Sequence, residues 1–175
     1  MNDTALDKAR QIRLMIFDVD GILTDGKLFF GPDGEAIKVF NVLDGQGIRL
    51  LEKAGIKTAI ISARQSLMVL RRAEDLGIEH IYLGVQDKLS SFGALLEKTG
   101  FTPLDCGYIG DDVIDLPVLG RAGFSASVPN AHAEVRSRVD YVTQAEGGHG
   151  AVREICDLIL KAQGQYQVIL ETFLK

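Results

Sequence analysis

Five aspartates stand in two short clusters, Asp18-Val-Asp20-Gly21 and Gly110-Asp111-Asp112-Val-Ile-Asp115, far apart in the chain. Each cluster directly follows a short apolar run. A single acid at such a place is commonly a helix cap or a turn former. A set gathered in one place is different, because mutual repulsion and desolvation oppose the gathering unless a cation sits among the carboxylates. Hard oxygen ligands favour Mg²⁺. Carboxylates around Mg²⁺ suit phosphate chemistry, provided other groups hold the phosphoryl oxygens. Ser62 closes another apolar run and offers a hydroxyl, and Lys88, after Gln86-Asp87, offers a positive charge.

These residues need elements that bring them together. Arg13–Phe17, Ile56–Ile61, Ile81–Leu83 and Cys106–Ile109 read as short buried strands ending in small or acidic residues. Helical stretches alternate with them over Gly45–Ala54, Ser66–Leu76, Lys88–Thr99 and Ile114–Arg121. Gly55, Gly77 and Gly100 stand where C-terminal caps belong. Gly123–Ala126 and Val139–Val142 read as two further strands, followed by a helix over Ala151–Lys161. The alternation predicts an α/β fold, a doubly wound parallel sheet covered by helices on both faces. Chemistry in such sheets collects beyond the carboxyl ends of the strands, where this chain puts its acids. One stretch breaks the pattern. Lys27–Phe30, the turn Gly31-Pro-Asp-Gly34 and Glu35–Phe40 read as a β-hairpin with a longer loop.

At 175 residues and 19.0 kDa the chain fits one domain, residues 1–175. Its net charge of −5 argues against nucleic acid or an anionic membrane as partner. Cys106 and Cys156 match no disulfide or metal framework, so both read as inert thiols in a reducing cytoplasm. The segment Met1–Gln11 is too polar for a secretory signal. The nineteen glycines exceed the usual share of about 7% and imply sharp turns or close backbone approaches.

The order Asp-x-Asp-Gly, Ser, Lys, Gly-Asp-Asp-x-x-Asp, each at a strand end, resembles the haloacid dehalogenase superfamily of phosphotransferases over about residues 14–142. That resemblance implies a covalent mechanism. Asp18 would attack phosphorus and form an aspartyl phosphate; Asp20 would protonate the leaving alcohol and then deprotonate the attacking water. Mg²⁺ would be held by Asp18, the Asp20 backbone carbonyl and Asp111. Ser62 and Lys88 would orient and neutralise the transferring oxygens, and Asp112 and Asp115 would support them.

Large members of the superfamily insert a cap domain, but Asp25–Ile61 and Ala63–Asp87 have no room for one. The hairpin residues Phe29, Phe30, Val39 and Phe40 are more apolar surface than a projecting arm can leave exposed. Pairing with hairpins of other subunits is the preferred reading. The hairpin, Phe40–Arg49, Ser62-Ala-Arg64 and Gly147–Glu154 resemble a capless group within the superfamily, the phosphatases of eight-carbon keto sugar acid phosphates. This implies a Mg²⁺-dependent homotetramer serving bacterial lipopolysaccharide synthesis. Arg64 and Arg72 are candidates for the substrate carboxylate. Asn41, Asp44, Gly45 and Arg49 would join Asp20 and Lys88 in substrate binding. Where Leu43 stands the family often has arginine, which weakens the substrate assignment more than the chemistry.

Gly147-Gly-His-Gly150 reads equally as an anion-binding loop or a tight turn, and His80 and His132 read as surface residues. The apolar tail 163–175 should dock, on its own body or at a neighbour's active site. Two rival functions remain: a phosphatase of a nine-carbon keto sugar acid 9-phosphate, and a non-enzymatic domain phosphorylated on Asp like a signalling receiver. Receivers, however, carry their acid pair after the first strand and the accepting Asp on a middle strand. Here the first strand carries Asp-x-Asp, which supplies its own acid/base.

Overall fold

The computed structural model describes residues 3–175; Met1 and Asn2 of the polar start lie outside them. The rest of that start forms a helix, α1 (Asp3–Arg10), to which the sequence reading gave no structure. The chain continues through β1 (Leu14–Phe17), β2 (Phe29–Gly31), β3 (Gly34–Ile37), α2 (Val42–Lys53), β4 (Lys57–Ser62), α3 (Leu67–Leu76), β5 (His80–Leu83) and α4 (Lys88–Thr99). Then follow β6 (Cys106–Ile109), α5 (Leu116–Leu119), β7 (Phe124–Ser127), α6 (Ala133–Arg136), β8 (Tyr141–Val142), α7 (Ala151–Ala162) and α8 (Tyr166–Glu171). Six strands form a parallel sheet in the order β5-β4-β1-β6-β7-β8. The fold is the expected doubly wound α/β sheet with helices on both faces.

The period of two along a strand sorts the core. Met15, Phe17, Ile60 and Ile109 point to one layer, with α1, α2, α3, α7 and α8. Leu14, Ile16, Ala59, Ile61 and Tyr108 point to the other, with α4, α5 and α6. Both faces of β1 are therefore dry, which is why its sequence is an unbroken apolar run. The chain winds from β1 out through β4 and β5, then crosses back to β6, so the order reverses at the carboxyl end of β1. That crevice receives the residues following β1, β4 and β6.

Gly55, Gly77 and Gly100 take left-handed angles just past their helices, as expected. Other boundaries differ. Instead of one helix over Ile114–Arg121 there is a 3₁₀ turn at Val113–Asp115 and the single turn of α5. Asp115 is drawn inward to bond the backbone N–H groups of Asp111 and Asp112, which breaks the regular helix. The last strand shrinks to Tyr141–Val142, because Asp140 turns aside to accept from Ser125 and Lys8.

The hairpin is shorter than expected. Gly31 pairs with Gly34, so its loop is Pro32-Asp33 alone, and Lys38 to Phe40 leave the ladder. Its apolar side is open, with Phe30 65%, Ile37 57% and Val39 60% exposed. The tail packs on its own chain through buried Ile169, and Lys53 reaches Thr172 and the Phe173 ring. His80 is buried at the start of β5 rather than on the surface.

Candidate active site

Asp18, Asp20, Ser62, Arg64, Lys88, Asp111 and Asp112 line one open pocket of about 220 Å³, with Gly26, Ala63 and Ile114. Each arrives by a local cause. Asp18 and Asp20 follow β1, and Ser62 ends β4. Asp87 caps α4 by accepting from the Leu89 N–H at 2.9 Å, which fixes Lys88 as the first helical residue. Asp111 follows β6. The chain turns at Gly21 with φ +86°, and a β-carbon there would lie 2.0 Å from Asp111 Oδ2. Only glycine lets the first loop come this close to the third.

Lys88 is buried between two acids, with Nζ 2.8 Å from Asp18 Oδ1 and 2.7 Å from Asp115 Oδ1. Burial opposes its charge, but Asp18 and Asp115 outweigh that and raise its pKa. Asp115 is fully buried and fully used. Its Oδ1 accepts from Lys88 and from the Tyr108 hydroxyl at 2.6 Å; its Oδ2 accepts two backbone N–H bonds at 3.1 Å.

Burial pushes the Asp18 carboxyl up to about 7, with Asp115 adding to the rise and Lys88 opposing it. Burial also pushes Asp111 up to about 7, reinforced by Asp115 and Asp112. Carboxyls raised this way are short of positive charge, which a divalent cation supplies. Oxygens of Asp18, Asp111 and Asp115 lie within 4.8 Å of one another. Since Asp115 has no lone pair to spare, Asp18 and Asp111 are the side chains free to hold Mg²⁺. The donor set is all oxygen and fits that ion.

Five expected substrate residues lie outside this pocket. Asn41 caps α2, accepting from Leu43 N at 2.8 Å and donating to the Gly148 carbonyl. Asp44 is buried and accepts from Arg153 N at 2.8 Å, so it caps α7. Burial raises its pKa, against the pull of the α7 backbone N–H groups. Arg49 bonds the Asp75 carbonyl at the far end of α3, away from the strand ends that carry the acids. Gly45 faces Arg72, whose guanidinium nitrogen would lie 2.3 Å from a β-carbon there. Arg64 precedes α3 in a loop, so it shares no helix face with Arg72.

The glycine loop 147–150 is a close approach, not an open anion cradle. A β-carbon on Gly147 would lie 1.7 Å from the Gly21 carbonyl oxygen, and the anion at the α7 N-terminus is Asp44. Sequence reasoning missed three groups. Tyr108 is placed only within a strand, and Glu35 and Lys38 only within the hairpin, with no role given to any of the three. Yet Lys38 is buried, bonded to Asp20 and 2.9 Å from Glu35, and Arg64 Nε stands 3.6 Å from Asp20. Both cysteines are buried with thiols pushed up by burial, Cys106 to about 12, as inert thiols should be.

A reversing parallel sheet with acids at the ends of β1 and β6 and a lysine between them defines a haloacid dehalogenase-like hydrolase; the family model of that description matches residues 84–155. The 3-deoxy-D-manno-octulosonate 8-phosphate phosphatase of Escherichia coli K12 is 49% identical over 141 residues, 81% of this chain and 75% of that protein. The Moraxella catarrhalis enzyme of the same name, solved with magnesium, phosphate and a KDO molecule, superposes with a TM-score of 0.95 at 47% identity, covering 99% of each chain. The cobalt-bound Haemophilus influenzae phosphatase gives 0.92 at 44%, covering 96% of this chain and 99% of that one. The chain belongs to the 3-deoxy-D-manno-octulosonate 8-phosphate phosphatase family.

Proposed function

We propose that the protein hydrolyses 3-deoxy-D-manno-octulosonate 8-phosphate to the free sugar acid and phosphate. The observation that carries this reading is the convergence of Asp18, Asp20, Ser62, Lys88 and Asp111 on one pocket. Asp18 attacks phosphorus in line, and its bond to phosphorus forms as the ester P–O bond breaks. Asp20 gives its proton to the leaving alkoxide and later takes one from the attacking water. Lys88 and Ser62 orient and neutralise the transferring oxygens, which is most of what phosphoryl transfer requires. Asp112 and Asp115 hold the third loop and Lys88 in place.

Asp18, Asp111 and the Asp20 backbone carbonyl would hold Mg²⁺, whose charge would offset the repulsion between the attacking carboxylate and the phosphate. Arg64, at the pocket wall, is the group for the substrate carboxylate, with its planar fork. Without a cap, the pocket needs another wall, and the exposed apolar hairpin supplies it by pairing with other subunits in a homotetramer. The product of such an enzyme serves lipopolysaccharide precursor synthesis in the cytoplasm. No helix among the described residues is long and apolar enough to cross a membrane.

The test is phosphate release from a panel of phosphorylated keto sugar acids, with Mg²⁺ and with chelator. Preference for the eight-carbon 8-phosphate, lost with chelator, is the expected result. Equal or reversed preference for a nine-carbon 9-phosphate overturns the substrate assignment. A stable phosphoprotein without turnover favours the receiver reading.

A further inference from the structure

We infer that Lys38, held by Glu35 on the hairpin, is a positioning residue that aims the carboxylate of Asp20. This rests on the acid/base role proposed for Asp20.

The two aspartates after β1 each have their own buried lysine. Asp18 has Lys88 from α4; Asp20 has Lys38 from the chain leaving β3. The side chain of Lys38 is only 2% exposed. A lysine so buried persists only with charged partners. Its partners are Asp20 Oδ1 and, at 2.9 Å, Glu35 Oε1. Arg64 completes a ring of alternating charge, with Nε 3.6 Å from Asp20 Oδ2 and a terminal nitrogen 4.0 Å from Glu35 Oε1. Those two separations exceed a hydrogen bond. Arg64 Nε is accordingly buried without a hydrogen-bond partner, and Glu35 Oε1 meets Lys38 as an ion pair, not as a hydrogen bond.

The ring is therefore tight on the Lys38 side and loose on the Arg64 side. Among the described residues Lys38 alone bonds the Asp20 carboxylate directly, and it occupies Oδ1. Oδ2 is left to carry the proton that passes to the leaving oxygen as the ester P–O bond breaks and the bond from Asp18 forms. Proton transfer needs heavy atoms within hydrogen-bond reach, and small misplacements of a reacting group are costly. The apolar side of the hairpin and the Glu35-Lys38 pair belong to one short element, so whatever steadies the hairpin also steadies Asp20.

The role predicts a dependence on the leaving group. An alkyl alkoxide needs the proton from Asp20, whereas the p-nitrophenolate of p-nitrophenyl phosphate leaves without it. In Lys38→Met, kcat/KM for the sugar acid 8-phosphate should fall about 10²-fold, with a fall at least several times smaller for p-nitrophenyl phosphate. KM should stay near that of the wild type. Lys38→Arg should recover part of the loss, and Glu35→Gln should show the same differential, more weakly, should Lys38→Met fail to fold. Equal losses with both esters, or a change in KM alone, overturn the inference. If the wild type hydrolyses p-nitrophenyl phosphate and other alkyl phosphates but not the 8-phosphate, the substrate reading falls alone, and the same ratio is taken with an alkyl phosphate that turns over.

Discussion

Asp115 holds Lys88 at 2.7 Å from beneath the pocket, while its other oxygen fixes the backbone of Asp111 and Asp112. One buried carboxylate thus sets both the cation proposed to face the phosphoryl group and the loop that carries a proposed metal ligand. Because the charge is buried and fully paired, removing either partner costs far more than forming the pair gains.

Asp115→Ala should accordingly destabilise the fold by about 3–5 kcal/mol, since Lys88, Tyr108 and two N–H groups lose their acceptor. Asp115→Asn keeps one acceptor oxygen, so it should fold but turn over slowly, with kcat down about 10²-fold or more. Urea unfolding and phosphate release measure the two effects. An Asp115→Asn variant with full activity would contradict the placement of Lys88 by charge.

The raised carboxyls of Asp18 and Asp111 couple metal binding to pH. Their folded pKa of about 7 lies above the ordinary 3.8, so the ionised form is disfavoured in the ion-free fold. These groups therefore cost stability as pH rises from about 4 through 7, the reverse of a salt-bridged aspartate. Mg²⁺ should offset that cost where both are ionised, and compete with protons below pH 7. The rise in melting temperature on adding Mg²⁺ should be larger at pH 8 than at pH 6. An equal or smaller rise at pH 8 would contradict the ligand assignment.

Asp44 gives a contrasting prediction. As a cap for α7, not a substrate contact, its loss should appear in stability rather than in KM. Asp44→Ala should cost about 1–2 kcal/mol, with KM for the sugar acid phosphate changed little. Burial raises its pKa, so the charge itself adds nothing net, and Asp44→Asn should be close to neutral in stability. Unfolding midpoints and KM values for both variants decide this, and a KM effect without a stability effect would return Asp44 to the substrate site.

The strands and the acids at their ends were legible because both signals are local. Buried parallel strands leave apolar runs, and Asp18, Ser62, Lys88 and Asp111 each sit directly beside one. What was not legible depends on long-range approach. Asp44 reads as a substrate contact until α7 is seen to start against it. Lys38 has no visible partner in the sequence until the hairpin folds over Asp20. Arg72 has substrate chemistry but lies against Gly45, a contact between two helices that spacing within one helix does not reveal. The same holds for Gly147, whose neighbour is the Gly21 carbonyl, far away in the chain.

The open face of the hairpin makes the final prediction. Phe29 and Ile37, paired on an element of two short strands, and Val39 just beyond it are all exposed, and such an element is marginal alone. None of the three lines the pocket. Phe29→Lys combined with Ile37→Lys should therefore disrupt assembly without touching a catalytic group. Light scattering should give a four-chain mass for the wild type and a smaller one for the variant. Activity should fall with the mass, because Glu35 and Lys38 share the hairpin and reach Asp20 from it. A wild-type protein that is monomeric and fully active would remove the hairpin from assembly, and a variant that keeps both mass and activity would remove these two side chains from it.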